Sequence, residues 1–285
     1  MYFNVWDNNS RIGRSRKTVA YPRAALIGNP SDGYNGKTIS FTFSNFQTDI
    51  TLYQSPELEI IPARRDETRF DSLKDLADSV TSFGYYGGIR LIKATLKKFY
   101  EYCEKNKIKR DDRNFSIRYH TSIPAHLGLA GSSSIIIACI RALSSFYSIT
   151  IPNPILANLA LSVEIDELGI GGGLQDRVAQ SFQGLVYMDF AQEHFDHQGF
   201  GRYISLKPNK MPNLYIAFKK EFSEGSEILH NNLRYRYDKK EPDVINAMET
   251  FANLAEKIFE LFNKGSYDSL PELMNRNFLS ETQTC

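Results

Sequence analysis

A glycine- and serine-rich run, Pro124-Ala-His-Leu-Gly-Leu-Ala-Gly-Ser-Ser-Ser134, opens directly into the apolar segment Ile135-Ile-Ile-Ala-Cys-Ile140. Ahead of it Ser116–Ile123 alternates, with Ile117, Tyr119, Thr121 and Ile123 on one face and Ser116, Arg118, His120 and Ser122 on the other. Period-two alternation predicts a half-buried strand that delivers the chain into the loop. The segment from Ser133 to about Tyr147 is apolar almost all round, which predicts a core helix. Gly128 and Gly131 let the backbone approach a bound group, and Ser132, Ser133 and Ser134 add hydroxyls where a helix has free N–H groups. Orphan donors and the helix dipole together make such a start an anion site. A nucleotide phosphate suits it. The run is neither the Walker pattern, which needs Gly-Lys-Ser/Thr, nor a dinucleotide fingerprint, which needs three glycines at another spacing. A serine-capped turn before a core helix fits the same residues.

The 285 residues, 42% hydrophobic, suffice for one large core or two moderate ones. A formal net charge of +1 argues against a nucleic-acid partner. Cys103, Cys139 and Cys285 are few, far apart and odd in number, which suits a reducing compartment and gives neither a disulfide framework nor a zinc pattern. The N-terminus shows no basic start followed by an apolar segment, and the longest apolar run is Ile135–Ile140. Neither a secretory leader nor a membrane span is expected, so the expected location is the cytoplasm.

Residues 1–17 read as a loose polar lead-in. Thr18–Gly28 reads as a strand entering the turn-rich Asn29-Pro-Ser-Asp-Gly-Tyr-Asn-Gly36, followed by strands at Thr38–Phe46 and near 50–53 and 57–61. Helices are expected at Asp71–Ser82, Ile89 to about Asn106, Ile155–Leu168 and Leu174–Phe182, and a strand at Leu185–Phe190. After the polar stretch 191–202, strands near 203–206 and 214–218 precede helices at about 224–236, 242–264 and 267–277. Glycines and prolines at 199–212 mark a candidate boundary, dividing the chain into 18–205 and 206–285.

Two further clusters carry chemistry. Arg23 at a strand start and Asp32 in the turn beyond can face one polar ligand, the acid toward hydroxyls and the guanidinium toward a phosphoryl group. Asp32 and Ser31 equally suit a mere turn-shaping role. Glu164 and Asp176 are separated by Gly169, Gly171, Gly172 and Gly173, a break that lets two helices bring their acids together. For phosphoryl transfer one carboxylate would hold Mg²⁺ and the other would orient the attacking hydroxyl. Two capping or solvated acids fit the pair as well. Tyr85, Tyr86, Gly87 and Gly88 suit a pocket wall or an aromatic packing corner, His194 and His197 lack further ligand spacing, and Cys139 reads as inert.

Together these segments resemble the GHMP kinases, the superfamily of galacto-, homoserine, mevalonate and phosphomevalonate kinases. Its central motif looks like Pro-x-x-x-Gly-Leu-(x)-Gly-Ser-Ser-Ala, matched by Pro124, Gly128, Leu129, Ala130, Gly131, Ser132, Ser133 and, in place of alanine, Ser134. The Arg23 segment is similar to the galactokinase sugar motif, with Asn29-Pro30 where that motif has Glu-His. Leu26-Ile-Gly-Asn-Pro-Ser-Asp32, Gly173-Leu-Gln-Asp-Arg-Val-Ala-Gln180 and Leu273-Met-Asn-Arg-Asn-Phe278 are similar to the glucuronokinase branch.

The resemblance implies an α+β GHMP fold: an N-terminal domain like ribosomal protein S5 domain 2 and a ferredoxin-like C-terminal half. That half is expected to be truncated, because no third glycine-rich motif follows Phe278. It implies transfer of the ATP γ-phosphoryl group to the anomeric hydroxyl of a sugar acid, D-glucuronate, with Mg²⁺. Ser133 and Glu164 would bind the metal, Asp176 would act on the hydroxyl, and Arg23 would neutralise the reaction centre. Residues from Pro124 through Gly128 to Ser134 would cradle the phosphates, and Asp32 and Asn29 would hold the sugar. Arg177 is assigned to the carboxylate. A kinase for a fucose- or heptose-type C1 hydroxyl, or a non-catalytic sugar or nucleotide binder, are the alternatives.

Overall fold

The computed structural model describes residues 15–63, 66, 70–74, 76, 87–125, 127–208, 211–217 and 226–284. Among the described residues, eight strands form two four-stranded sheets. In the first, β1 (Arg16–Ala20), β4 (Thr48–Gln54), β6 (Phe115–Thr121) and β5 (Glu59–Ile61) lie in the order β1-β4-β6-β5. In the second, β2 (Arg23–Ile27), β3 (Lys37–Thr42), β7 (Leu185–Asp189) and β8 (Arg202–Leu206) lie in that order, all antiparallel. The expected single strand Thr18–Gly28 is therefore two, and they belong to different sheets. Pro22 sits at the break, where a missing N–H cannot join a central ladder. Arg16 and Lys17, read as lead-in, pair with Leu52 and Thr51.

Helices α1 (Gly88–Lys105), α2 (Gly131–Tyr147) and α3 (Asn153–Ser162) cover the first sheet. Register brings Ile50 opposite Tyr119 and Leu52 opposite Ile117, and these side chains pack on α2. Ile136, Ile137 and Ile140 are each 0% exposed, so the helix read as apolar all round is a core helix. Each such side chain contributes about 1.5–3 kcal/mol through burial. The second sheet is covered on both faces. On one side Ile27, Ile39 and Tyr187 meet Leu254 and Ile258 of α7 (Pro242–Asn263) and Leu270 and Leu273 of α8 (Leu270–Thr284). On the other, Val186 and Met188 meet Val178 and Ala179 of α4 (Leu174–Phe182), with Ala157 from α3 behind them.

Other differences follow from local geometry. The helix expected over Ile155–Leu168 is α3 followed by a wider π-helical turn, Val163–Glu167. The polar stretch 191–202 holds α5 (Gln192–Gln198), which buries no residue and so shows no apolar period. Residues 214–217 form no strand, and among the described residues none follows β8. α6 (Ser226–Asp238), α7 and α8 follow instead. Of the helix expected at 71–82, residues 75 and 77–82 lie outside the described set, as do residues 1–14, Tyr85, Tyr86 and residue 218. No helix of the described residues is long and apolar enough to cross a membrane.

Candidate active site

Gly28 ends β2 with φ +94, and a Cβ there would stand 2.3 Å from the Lys37 carbonyl oxygen. That left-handed turn sends Asn29 and Pro30 into a short 3-10 turn, Ser31–Tyr34, which presents Asp32. Ser31, 0% exposed, closes the loop by donating from Oγ to the Lys37 carbonyl at 3.0 Å and accepting the Gly36 amide at 2.9 Å. Asp32 then meets the start of α4. Its Oδ2 lies 2.3 Å from where a Gly173 Cβ would be, so only glycine leaves room there. The Gln175 backbone N–H also bonds it.

The first turn of α4 carries Asp176, whose Oδ1 accepts from Arg23 Nη2 across two elements. Arg177 follows, but successive helical residues point about 100° apart. Its Nε donates to Glu164 Oε2 at 2.7 Å, Nη2 to the same oxygen, and Nη1 to the Gly173 carbonyl at 2.7 Å. Nη1 is also 3.7 Å from Asp176 Oδ2. Glu164 comes from the π-helical turn and is 0% exposed; its Oε1 accepts from Ser132 Oγ at 2.9 Å. Asp32, Asp176, Glu164, Arg23 and Arg177 thus form one charged row from the turn after β2 to the start of α2.

Burial, and then the Asp176 charge, push the Asp32 carboxyl up to about 6, against the pull of Arg23, the Gln175 amide and Arg177. Burial alone would depress Arg177, yet Glu164 and Asp176 outweigh it and hold that guanidinium above its usual range. Burial likewise raises the Cys139 thiol, which is 0% exposed and stays protonated.

The loop before α2 has an open face. Gly128 has φ +66 with nothing within 4 Å of a built Cβ. Ala130, not Gly131, takes the second left-handed position, φ 60. Such a residue costs about 1–3 kcal/mol and needs outside support. The support is its carbonyl, which accepts Ser134 N–H at 3.1 Å and Gln180 Nε2 at 2.9 Å. The Leu129 carbonyl accepts the Arg23 amide at 3.2 Å, tying the loop to β2. Leu129 and Ala130 are buried, Pro124 is half-buried, and Gly128 and Ser132 are exposed. Because the helix ladder begins at Ser134 N–H, the amides of Gly131, Ser132 and Ser133 precede it.

The structure therefore brings together Arg23, Asp32, Asp176, Arg177, Glu164 and the loop. The pairing of Ser133 with Glu164 differs from expectation: Ser133, 1% exposed, donates back to the Ala130 carbonyl at 3.2 Å, and Ser132 is the serine that reaches Glu164. Asn29 is half-buried, with its carbonyl bonded by Asn277 Nδ2 at 3.3 Å. Sequence reasoning gave no role to Gln175, Gln180 or Asn277. Gln175 Nε2 donates to Ser40 Oγ at 2.6 Å and fastens α4 to β3. The first two lie inside the Gly173–Gln180 block, the one signal that pointed toward them.

Residues 90–184 match the GHMP kinases N terminal domain. The chain is 41% identical over 263 residues to "Probable glucuronokinase 2" of Arabidopsis thaliana, covering 91% of this chain and 71% of that protein. It is 38% identical over 281 residues to "Glucuronokinase 1" of the same organism, covering 95% and 77%. Among solved structures, the Streptococcus pneumoniae phosphomevalonate kinase superposes with TM-score 0.68 at 12% identity over 96% of this chain and 80% of its own. A D-glycero-D-manno-heptose 1-phosphate kinase from Bacteriodes thetaiotaomicron gives 0.63 at 18% over 95% and 80%, a likeness of fold. With its α+β architecture and these relatives, the chain belongs to the GHMP kinase superfamily and is an ATP-dependent sugar kinase, a phosphotransferase with an alcohol group as acceptor.

Proposed function

We propose that this kinase phosphorylates D-glucuronate at its anomeric hydroxyl, giving glucuronate 1-phosphate and ADP. The observation that carries the reading is the Arg23–Asp176 ion pair, set between Asp32 and the open helix start of α2. The similarity to two glucuronokinases supplies the sugar.

The amides of Gly131, Ser132 and Ser133 and the exposed Gly128 would receive phosphate oxygens, as a helix start does for anions. Asp32 and Asn29 would hold sugar hydroxyls from the turn after β2. Asp176 would orient the anomeric hydroxyl by accepting its hydrogen bond as the sugar oxygen bonds to the γ-phosphorus. The bond from that phosphorus to the bridging oxygen then breaks, and the hydroxyl proton leaves to Asp176 or to water. Arg23 would stabilise charge on the transferring group; its Nε is buried without a partner among the described residues, a donor left over for such an oxygen. Arg177 would be the cation nearest the sugar carboxylate, by way of Nη1, which already donates to the Gly173 carbonyl and lies 3.7 Å from Asp176 Oδ2.

Magnesium takes one or two protein oxygens beside phosphate and water oxygens. Glu164 Oε1 and the exposed Ser132 hydroxyl form a donor set of that kind, with Ser133 next to them. Bound there, the ion would neutralise charge on the phosphate oxygens.

The test is ATP turnover with a panel of glucuronate, galactose and fucose- or heptose-type sugars, with the product read by phosphorus NMR. The expected result is a 1-phosphate of glucuronate and a loss of at least about a hundredfold in kcat in Asp176→Asn. Preference for a neutral sugar, or binding without turnover, would overturn the reading.

A further inference from the structure

The turn that carries Asn29 and Asp32 is gripped from the far end of the chain. Asn277, on α8, is 5% exposed. Its Oδ1 accepts the buried Gly28 N–H at 2.8 Å, and its Nδ2 donates to the Asn29 carbonyl at 3.3 Å. Both contacts span almost the whole sequence, so they are tertiary choices and not part of any local turn. They fall on the very residue pair where β2 reverses: Gly28 has φ +94, and the Cβ of Ala255 on α7 would stand 2.9 Å from an added Gly28 Cβ. A second hold lies four residues on, where Arg234 Nη2 of α6 donates to the Gly33 carbonyl at 2.6 Å and its guanidinium lies 4.5 Å from the Tyr34 ring centre. The turn is thus bonded to α8 at one end and to α6 at the other, with Asp32 between the two.

We infer that Asn277 is a positioning residue for the sugar: by bonding both sides of the Gly28–Asn29 turn, it sets where Asp32 and Asn29 stand relative to Asp176. The inference rests on the sugar-binding role proposed for that turn. Asn277 touches neither Asp176 nor the loop before α2 in any hydrogen bond described, so its influence reaches the acceptor side of the reaction and not the nucleotide side. A displacement of about 1 Å at such a turn is enough to change turnover by up to about a hundredfold.

Two variants separate hydrogen bonding from packing. Asn277→Leu keeps the branched shape and the number of heavy atoms and loses both bonds; Asn277→Asp keeps the acceptor for the Gly28 N–H and loses the donor. Asn277→Leu is expected to raise the sugar KM about tenfold or more with the ATP KM changed less than about twofold, and Asn277→Asp, which keeps the Gly28 bond but sets an oxygen against the Asn29 carbonyl, to recover only part of that loss. Amide exchange of residues 27–33, measured by mass spectrometry without sugar, is expected to rise about fivefold in Asn277→Leu while β3 and β7 stay protected. Equal rises in both KM values, an unchanged sugar KM, or unchanged exchange would overturn the inference. Should the wild type accept a sugar other than glucuronate, that sugar serves in the assay: the glucuronate reading then falls and Asn277 is judged separately. Should it turn over no sugar, the exchange measurement decides.

Discussion

Arg177 and Glu164 form an ion pair sealed from solvent, with side-chain exposures of 5% and 0%. Removing one partner of such a pair strands a buried charge and costs about 3–5 kcal/mol. Arg177→Met is therefore expected to lose stability on that scale in urea unfolding, whereas Arg177→Met combined with Glu164→Gln recovers most of it. Activity should stay low in both. Additive losses in the double variant would show that the two side chains do not act as a pair.

Asp32 makes stability depend on pH. Its folded carboxyl titrates near 6, raised by burial, while the unfolded chain releases the proton near 3.8. Between these values the folded form binds more protons, so stability falls as pH rises through the window, by about 2–3 kcal/mol in all. Asp32→Asn should flatten that slope and unfold at higher temperature than wild type at pH 8, yet lose sugar turnover. A parallel pH–stability curve in the variant would refute the assignment.

Ser132 and Ser133 are adjacent but do different things: one reaches Glu164, the other its own helix turn. Ser132→Ala is expected to raise the magnesium concentration for half-maximal rate about tenfold, and Ser133→Ala less than about twofold. Magnesium titration of the initial rate checks this, and the opposite order would return the metal role to Ser133.

Gly173 has an ordinary extended backbone, φ −103, so alanine there introduces no backbone strain. The added methyl would collide only with Asp32. Gly173→Ala should raise the sugar KM about tenfold and leave ATP binding and melting temperature nearly unchanged. A changed ATP KM would mean that the collision spreads into α4.

Sequence patterns found the helix α2, the strand before it and most later elements because each shows a clear period. They missed what depends on tertiary partners. The break at Pro22 was visible, but nothing local says that β1 and β2 part to different sheets. The π-helical turn that aims Glu164 has no signature in Val163–Glu167 itself. Asp176, Arg23 and the loop before α2 were legible as candidate chemistry, and the structure does gather them. Arg177 was read from its adjacency to Asp176, but adjacency along a helix separates side chains, and its guanidinium goes mainly to Glu164. Asn277 lies inside the Leu273–Phe278 segment that the resemblance marked, but the turn it bonds is nearly 250 residues away, and no local pattern names that partner.

Helix α4 bears Asp176 in its first turn and, one turn on, Gln180, whose amide props the left-handed Ala130. Four residues of α-helix advance about 6 Å. Under the proposed roles, acceptor and donor would thereby be gauged against a single stiff rod, and the gap that phosphorus must cross would be written into one helical turn.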